Sequence, residues 1–238
     1  MDKKPRICLA LDDLSAEDAI GLTVKLGARC HAVKIHDLYD AEGPTIIKTL
    51  KKVGAKRVWV DTKLHDTKNT VALRVKALVG NGAEIITVHA SGGVSMMKAA
   101  VDAAYNECRY QLAQIYAVTI LTSLDEDEIG RIYGKDRTRE QIVYEFALMA
   151  KEAGIWTVVC SAQEVGMLWQ SPDLAGMEFT VPGTRSVGVA SGQQKRSGTP
   201  WQATNDGATF LVAGSQVMEA EDPVAAFNAI ATEIGQLW

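Results

Sequence analysis

Short apolar segments rich in Val, Ile and aromatic residues alternate with longer amphipathic ones, eight times along the 238 residues. The strand-like members are Arg6 to Asp12, Cys30 to His36, Arg57 to Lys63, Ala83 to Ala90, Gln114 to Leu121, Ile155 to Ser161, Met177 to Gly183 and Ala208 to Gly214. Helix-like patterns lie between them, the first after Ser15, a residue type that caps helix N-termini. The stretch LDEDEIGRIYGKDRTRE reads as a long charged insertion before the helix QIVYEFALMAKEAG. Eight β-then-α units predict a (β/α)8 TIM barrel. A doubly wound sheet would more often carry a GxGxxG turn after its first strand, where this chain has DDLS. No linker or composition shift divides the chain, so residues 1–238 are expected to form one domain.

The strand ends carry a second regularity. Asp12, Lys34, Asp61 with Lys63, His89, Thr122 with Ser123, Ser161, and Gly214 with Ser215 stand at or just beyond the C-terminal ends of successive strands. A barrel builds its active site at that rim, so the pattern predicts a polar mouth where these residues converge. The densest part is WVDTKLHDTKNTV (Trp59 to Val71), in which apolar residues lead into Asp61, Lys63 and Asp66. In a regular strand Asp61 and Lys63 share a face, and Asp66 falls in the following turn.

Composition removes several functions. The formal net charge of −4 argues against a nucleic-acid surface, which is normally basic, though a pocket can still focus positive charge on a small anion. No apolar run reaches membrane-spanning length, and MDKKPRICLALDDL fails as a signal peptide, so a cytoplasmic protein with no membrane partner is expected. The four cysteines lack a CxxC pair and read as buried thiols in a reducing compartment, three of them within strands. The four histidines form neither HxH nor HxxxH, so no metal site is expected.

Lys34, Asp61, Lys63 and Asp66 form a set of alternating charge to which Asp12 adds a third anion. Carboxylate neighbours favour protonated lysines, which suits them to donating a proton rather than forming a Schiff base. The array is therefore matched to stabilising and protonating a carbanion, although a self-satisfied salt-bridge network is the alternative reading. A long Gly- and Ser-rich segment, Val181 to Pro200, carries Arg185, Gln193, Gln194, Lys195 and Arg196 and reads as a lid or as a plain surface loop. Loops after the seventh and eighth strands of such barrels often bind phosphate, and Pro182-Gly183 and Ala213-Gly214 are placed to do so.

These residues carry a family resemblance. DTKLHDTKNT, with VKI, AEGP, TVHASGG, VTILTS, VVCSAQE, VPGTRS and GQQKR in the same order, resembles the bacterial-type orotidine 5′-phosphate decarboxylases over almost the whole chain. The resemblance implies cofactor-free decarboxylation of a small-molecule nucleotide, orotidine 5′-phosphate, to uridine 5′-phosphate, in pyrimidine synthesis. It implies that Lys63 protonates C6, that Asp61 lies against the departing carboxylate, and that Lys34 and Asp12 hold the ribose and the charge array. It further implies that Asp66 and Thr70 reach into the neighbouring subunit's site in a homodimer, that Ser123 contacts the pyrimidine, and that Gln194 joins base to phosphate.

The chain departs from the family pattern at three places. Where the family has Gly-Arg after the last strand, with the arginine on the phosphate, this chain has Gly214-Ser215-Gln216. A charge-assisted hydrogen bond contributes roughly 1.5–3 kcal/mol, so phosphate capture should fall by about ten- to a hundredfold unless Arg185 or Arg196 replaces the lost cation. The segment IHDLYDAEGP is altered and brings His36 and Asp37 near the mouth, and Thr67-Lys68 replaces Ile-Pro. Two other readings remain open from the residues: a related decarboxylase with another substrate, and a weakened or non-catalytic ligand-binding homologue.

Overall fold

The computed structural model describes residues 6–107, 113–189 and 198–236. Eight parallel strands close into a barrel in sequence order: β1 (Arg6–Ala10), β2 (Ala32–Ile35), β3 (Val58–Leu64), β4 (Ile85–His89), β5 (Gln114–Val118), β6 (Thr157–Val159), β7 (Glu178–Pro182) and β8 (Phe210–Ala213). Closure is made by β8 against β1, with Arg6 opposite Phe210 and Leu9 opposite Ala213. The expected barrel is therefore the observed one, with strands shorter than the apolar segments because each segment includes part of a following loop.

Strand alternation sorts the side chains into two cores. One face of each strand joins the helices in an outer layer that includes Leu9, Val33, Val60, Val88, Val158 and Leu211. The other face fills the barrel with Cys8, Ala10, Ala32, Trp59, Ile85, Tyr116, Val118, Val159, Phe210 and Val212. Small residues on β1 and β2 leave room for the three large rings. Trp59 packs edge-on to Tyr116 with ring centroids 5.3 Å apart, and Tyr116 lies 6.1 Å from Phe210. The indole Nε1 of Trp59 donates to Thr87 Oγ1 at 2.6 Å, which satisfies a donor that burial would otherwise leave costly.

Two connections contain helices that the sequence reading did not assign. Asp37–Glu42 is a helix of its own before Thr45–Lys52; six residues are too few to display a helical period. The charged insertion contains the helix Glu126–Tyr133, started by a capping box in which Asp125 and Glu128 each accept from the other's backbone N–H. Of the segment after β7, Pro200–Asn205 is a helix capped by Thr199, while Gln193, Gln194, Lys195 and Arg196 lie outside the described residues. Cys8, Cys30 and Cys160 are buried free thiols; Cys30 and Cys160 flank their strands rather than sit within them, and Cys108 lies outside the described residues.

Candidate active site

The C-terminal mouth of the barrel holds a cavity of about 530 Å³, within the range of small-molecule sites. Its floor is the barrel's apolar interior, with Ala10, Trp59, Val118, Val159 and Val212. Its walls are polar and come from opposite sides: Asp12, Lys34, Asp61 and Lys63 from β1 to β3, and Pro182, Gly183, Arg185, Gly214 and Ser215 from β7 and β8. Thr122 and Ser123 line it from the loop after β5.

The charged wall is an interlocked row. Lys34 Nζ donates to both oxygens of Asp12, at 2.7 and 2.9 Å, and lies 3.4 Å from Asp61 Oδ2. Lys63 Nζ donates to the same Asp61 oxygen at 2.8 Å. Lys34 and Asp61 are only 6% and 5% exposed, so neither could stay charged without the other. Burial opposes the charge of Lys34, but Asp61 and Asp12 outweigh it and lift its pKa above the ordinary lysine value. Burial likewise opposes the charge of Asp61, but Lys34, Lys63 and a hydrogen bond with Thr87 leave its pKa below the ordinary carboxylate value.

Lys63 does not sit in a regular strand. The β3–β4 register shifts between Val60 and Leu64, and Lys63 has φ of 46°, in the left-handed region that non-glycine residues rarely occupy. Such a conformation costs on the order of 1–3 kcal/mol and recurs where a bulge re-aims a functional side chain. The strand alternation inferred from DTK is therefore replaced by a bulge that delivers Lys63 to the cavity beside Asp61. Asp13, a second left-handed residue with φ of 56°, also lines the cavity, and its N–H donates to Asp37 Oδ2 at 3.0 Å. Asp37 thus fixes the loop after β1, whereas His36 is exposed at the start of the following helix.

The opposite wall shows how the chain accommodates Ser215. Arg185 Nη2 donates to Ser215 Oγ at 2.5 Å, and Arg185 Nη1 to its neighbour's carbonyl, Thr184 O, at 3.0 Å. Next to it, Ser186 N donates to Gln216 Oε1 at 3.1 Å and Gln216 Nε2 donates to Ser186 Oγ at 2.8 Å. The loops after β7 and β8 are thereby laced together through Ser215 and Gln216. A guanidinium held at this wall stands close to the position left by the missing arginine.

Not every expected residue joins the cavity. Asp66 and Thr70 are absent from its lining: Asp66 is exposed and accepts from Thr67 N at 2.6 Å, and Thr70 pairs with Thr67 through hydroxyls 3.0 Å apart. His89 stacks 5.6 Å from His65, with burial foremost and then His65 and Lys63 lowering its pKa. Ser161 is fully buried and its N–H donates to Glu164 at 2.9 Å. Gln194 lies outside the described residues. The sequence reading passed over Trp59, Asp13, Met218 and Glu219, which all line the cavity. Trp59 was accessible to it, since it precedes Asp61 by two residues on the same strand face.

Known proteins resemble this chain in sequence and in fold over almost its whole length. Residues 5–230 match the family described as Orotidine 5'-phosphate decarboxylase / HUMPS. An orotidine 5′-phosphate decarboxylase from Moorella thermoacetica is 38% identical, covering 98% of this chain and 94% of its own. One from Nitrosococcus oceani is also 38% identical, covering 99% of this chain and 100% of its own. The solved structure of orotidine 5′-phosphate decarboxylase from Lactobacillus acidophilus superposes with a TM-score of 0.83 at 31% identity, covering 98% of this chain and 99% of the other. With the family match spanning residues 5–230 and relatives 38% identical over nearly their whole length, the chain belongs to the Orotidine 5'-phosphate decarboxylase / HUMPS family.

Proposed function

We propose that the protein is a carboxy-lyase that converts orotidine 5′-phosphate to uridine 5′-phosphate and carbon dioxide. The observation that carries this reading is the Asp12–Lys34–Asp61–Lys63 row at the mouth of a cavity whose other wall presents Arg185. The bond from C6 to the carboxylate breaks, its electron pair remains on C6, and Lys63 Nζ delivers a proton there as carbon dioxide leaves. The ammonium also opposes the charge that develops on C6, which lowers the barrier electrostatically. Asp61 orients Lys63 and faces the departing carboxylate. Lys34 and Asp12 hold the ribose hydroxyls, and Ser123 meets the pyrimidine edge.

The phosphate is assigned to the wall formed by Pro182, Gly183, Arg185, Gly214 and Ser215. Ser215 acts there by positioning Arg185 and supplies no charge of its own. Arg185 takes over the charge-assisted contact that the family's arginine after the last strand would make. This favours a phosphorylated nucleotide over an unphosphorylated substrate.

The reading includes a homodimer with shared sites. Asp66 and Thr70 lie off their own subunit's cavity, on the turn and helix that follow Lys63, where a neighbouring subunit could receive them. Three buried free thiols support a reducing, cytoplasmic location. No helix among the described residues is long and apolar enough to cross a membrane. Absorbance at the pyrimidine band tests the assignment: purified protein should consume orotidine 5′-phosphate and yield uridine 5′-phosphate with no added cofactor. Failure to consume it would overturn the assignment.

A further inference from the structure

The seam between β3 and β4 joins both residues assigned to the chemical step to a single side chain on β4. Val60 pairs with Ile86 and Leu64 with Val88, so between these pairs β3 contributes Asp61, Thr62 and Lys63 while β4 contributes Thr87 alone. Thr87 thus stands opposite the whole bulge. A bulge disrupts the ladder locally, so side chains must hold its shape where backbone pairing does not. Thr87 is fully buried, and Trp59 and Asp61 nearly so.

The chemistry of the three groups fixes the direction of their hydrogen bonds. An indole N–H only donates, and an ionised carboxylate only accepts. Trp59 Nε1 donates to Thr87 Oγ1 at 2.6 Å. In the hydrogen bond between Thr87 and Asp61, which favours the ionised carboxylate, the hydroxyl is therefore the donor. The result is a one-way relay from indole to hydroxyl to Asp61. Its starting point is fixed, because the Trp59 ring is packed edge-on against Tyr116 at 5.3 Å. Lys34 and Lys63 both meet Asp61 at Oδ2, 3.4 and 2.8 Å away. An ammonium is a compact charge with rotatable donors, so the lysines secure the charge of Asp61 more firmly than its tilt. A hydroxyl already oriented by a buried indole is directional and sets the tilt.

We propose, resting on the decarboxylation reading, that Thr87 is a positioning residue for the reaction: oriented by Trp59, its hydroxyl sets the Asp61 carboxylate and with it the Lys63 ammonium that protonates C6. Thr87 is not part of the described cavity lining, so its effect falls on turnover rather than on binding. The test is turnover of orotidine 5′-phosphate by wild type, by Thr87→Val, which keeps the shape and removes the hydroxyl, and by Thr87→Ser, which keeps the hydroxyl. Thr87→Val should lower kcat by about tenfold or more with KM changed far less, and Thr87→Ser should recover most of that loss. Unchanged kcat in folded Thr87→Val would overturn the proposal, as would a Thr87→Ser variant as slow as Thr87→Val. If Thr87→Val does not fold, Trp59→Phe decides, since it keeps a ring and removes the indole donor. A lower kcat in that variant supports the relay, and an unchanged one overturns it.

Inactive wild type would overturn the decarboxylation reading, and the relay is then read without substrate, from the carbon-13 resonance of the Asp61 carboxyl on acidification. The charged and titratable groups around Asp61, namely Lys34, Lys63, Asp12 beyond Lys34 and His89 along β4, are all retained in Thr87→Val. Loss of the hydroxyl alone should therefore make Asp61 protonate at a higher pH than in wild type. Coincident titrations would overturn the relay.

Discussion

On the β1–β3 side of the catalytic mouth, charges are held by one another: Asp12, Lys34, Asp61 and Lys63 form a continuous row whose middle members are buried. On the β7–β8 side, the cation is held by neutral groups, with Arg185 donating to a serine hydroxyl and a backbone carbonyl. The difference fits two tasks. A row of buried, mutually dependent charges is rigid and already organised for charge that develops during reaction. A guanidinium whose acceptors among the described residues are neutral keeps its charge available to an incoming anion. One wall is thus suited to the chemical step, and the other to binding.

The comparison breaks most severely at Lys34. Lys34→Met leaves Asp61 and Asp12 facing each other across a buried position, which should cost about 3–5 kcal/mol of stability and lower kcat by at least about a hundredfold. Urea denaturation and steady-state kinetics would measure the two losses. Arg185→Gln should leave stability nearly intact and lower kcat/KM by roughly ten- to a hundredfold, mainly through KM. A loss confined to kcat would place Arg185 in the chemistry and erase the distinction between the walls. Ser215→Ala frees Arg185 without removing its charge, so kcat/KM should fall by about tenfold or less, again through KM.

Acidity gives a gentler probe of the charged wall. The Asp61 pKa is lowered in the folded chain, so its contribution is present above the ordinary value of 3.8 and is lost as pH falls through the folded value below it. The raised Lys34 pKa works in the opposite direction: its contribution is complete below the ordinary 10.5 and is lost as pH rises beyond that through the folded value. Urea midpoints measured from pH 5 to pH 2 should fall less steeply for Asp61→Asn than for wild type. Parallel slopes would mean that the row does not hold Asp61 ionised.

The two walls also differ in how legible they were. The barrel was readable because its strands alternate with helices eight times, and the charged wall because Asp61 and Lys63 lie two residues apart at one strand end. What the sequence could not display was the left-handed Lys63, since a bulge depends on the register with β4 rather than on local residue types. The other wall depends on tertiary pairing: Arg185 and Ser215 are 30 residues apart and meet only because β7 and β8 are neighbours. The loss of the family's arginine was visible, and Arg185 was a candidate to replace it, but the hydroxyl that steadies the guanidinium required the fold. Asp37–Glu42 escaped notice because a single short helix has no period to read, whereas the cap of Glu126–Tyr133 was present as Asp125 and Glu128 amid many other charges.

The central claim is that Lys63 performs the chemistry at the charged wall while the Arg185 wall binds. The most direct measurement is the turnover of orotidine 5′-phosphate by Lys63→Ala beside wild type, with kcat and KM determined separately. The account predicts that kcat falls by about 10²–10⁴-fold or more while KM changes far less. Equal kcat in the two proteins would contradict it.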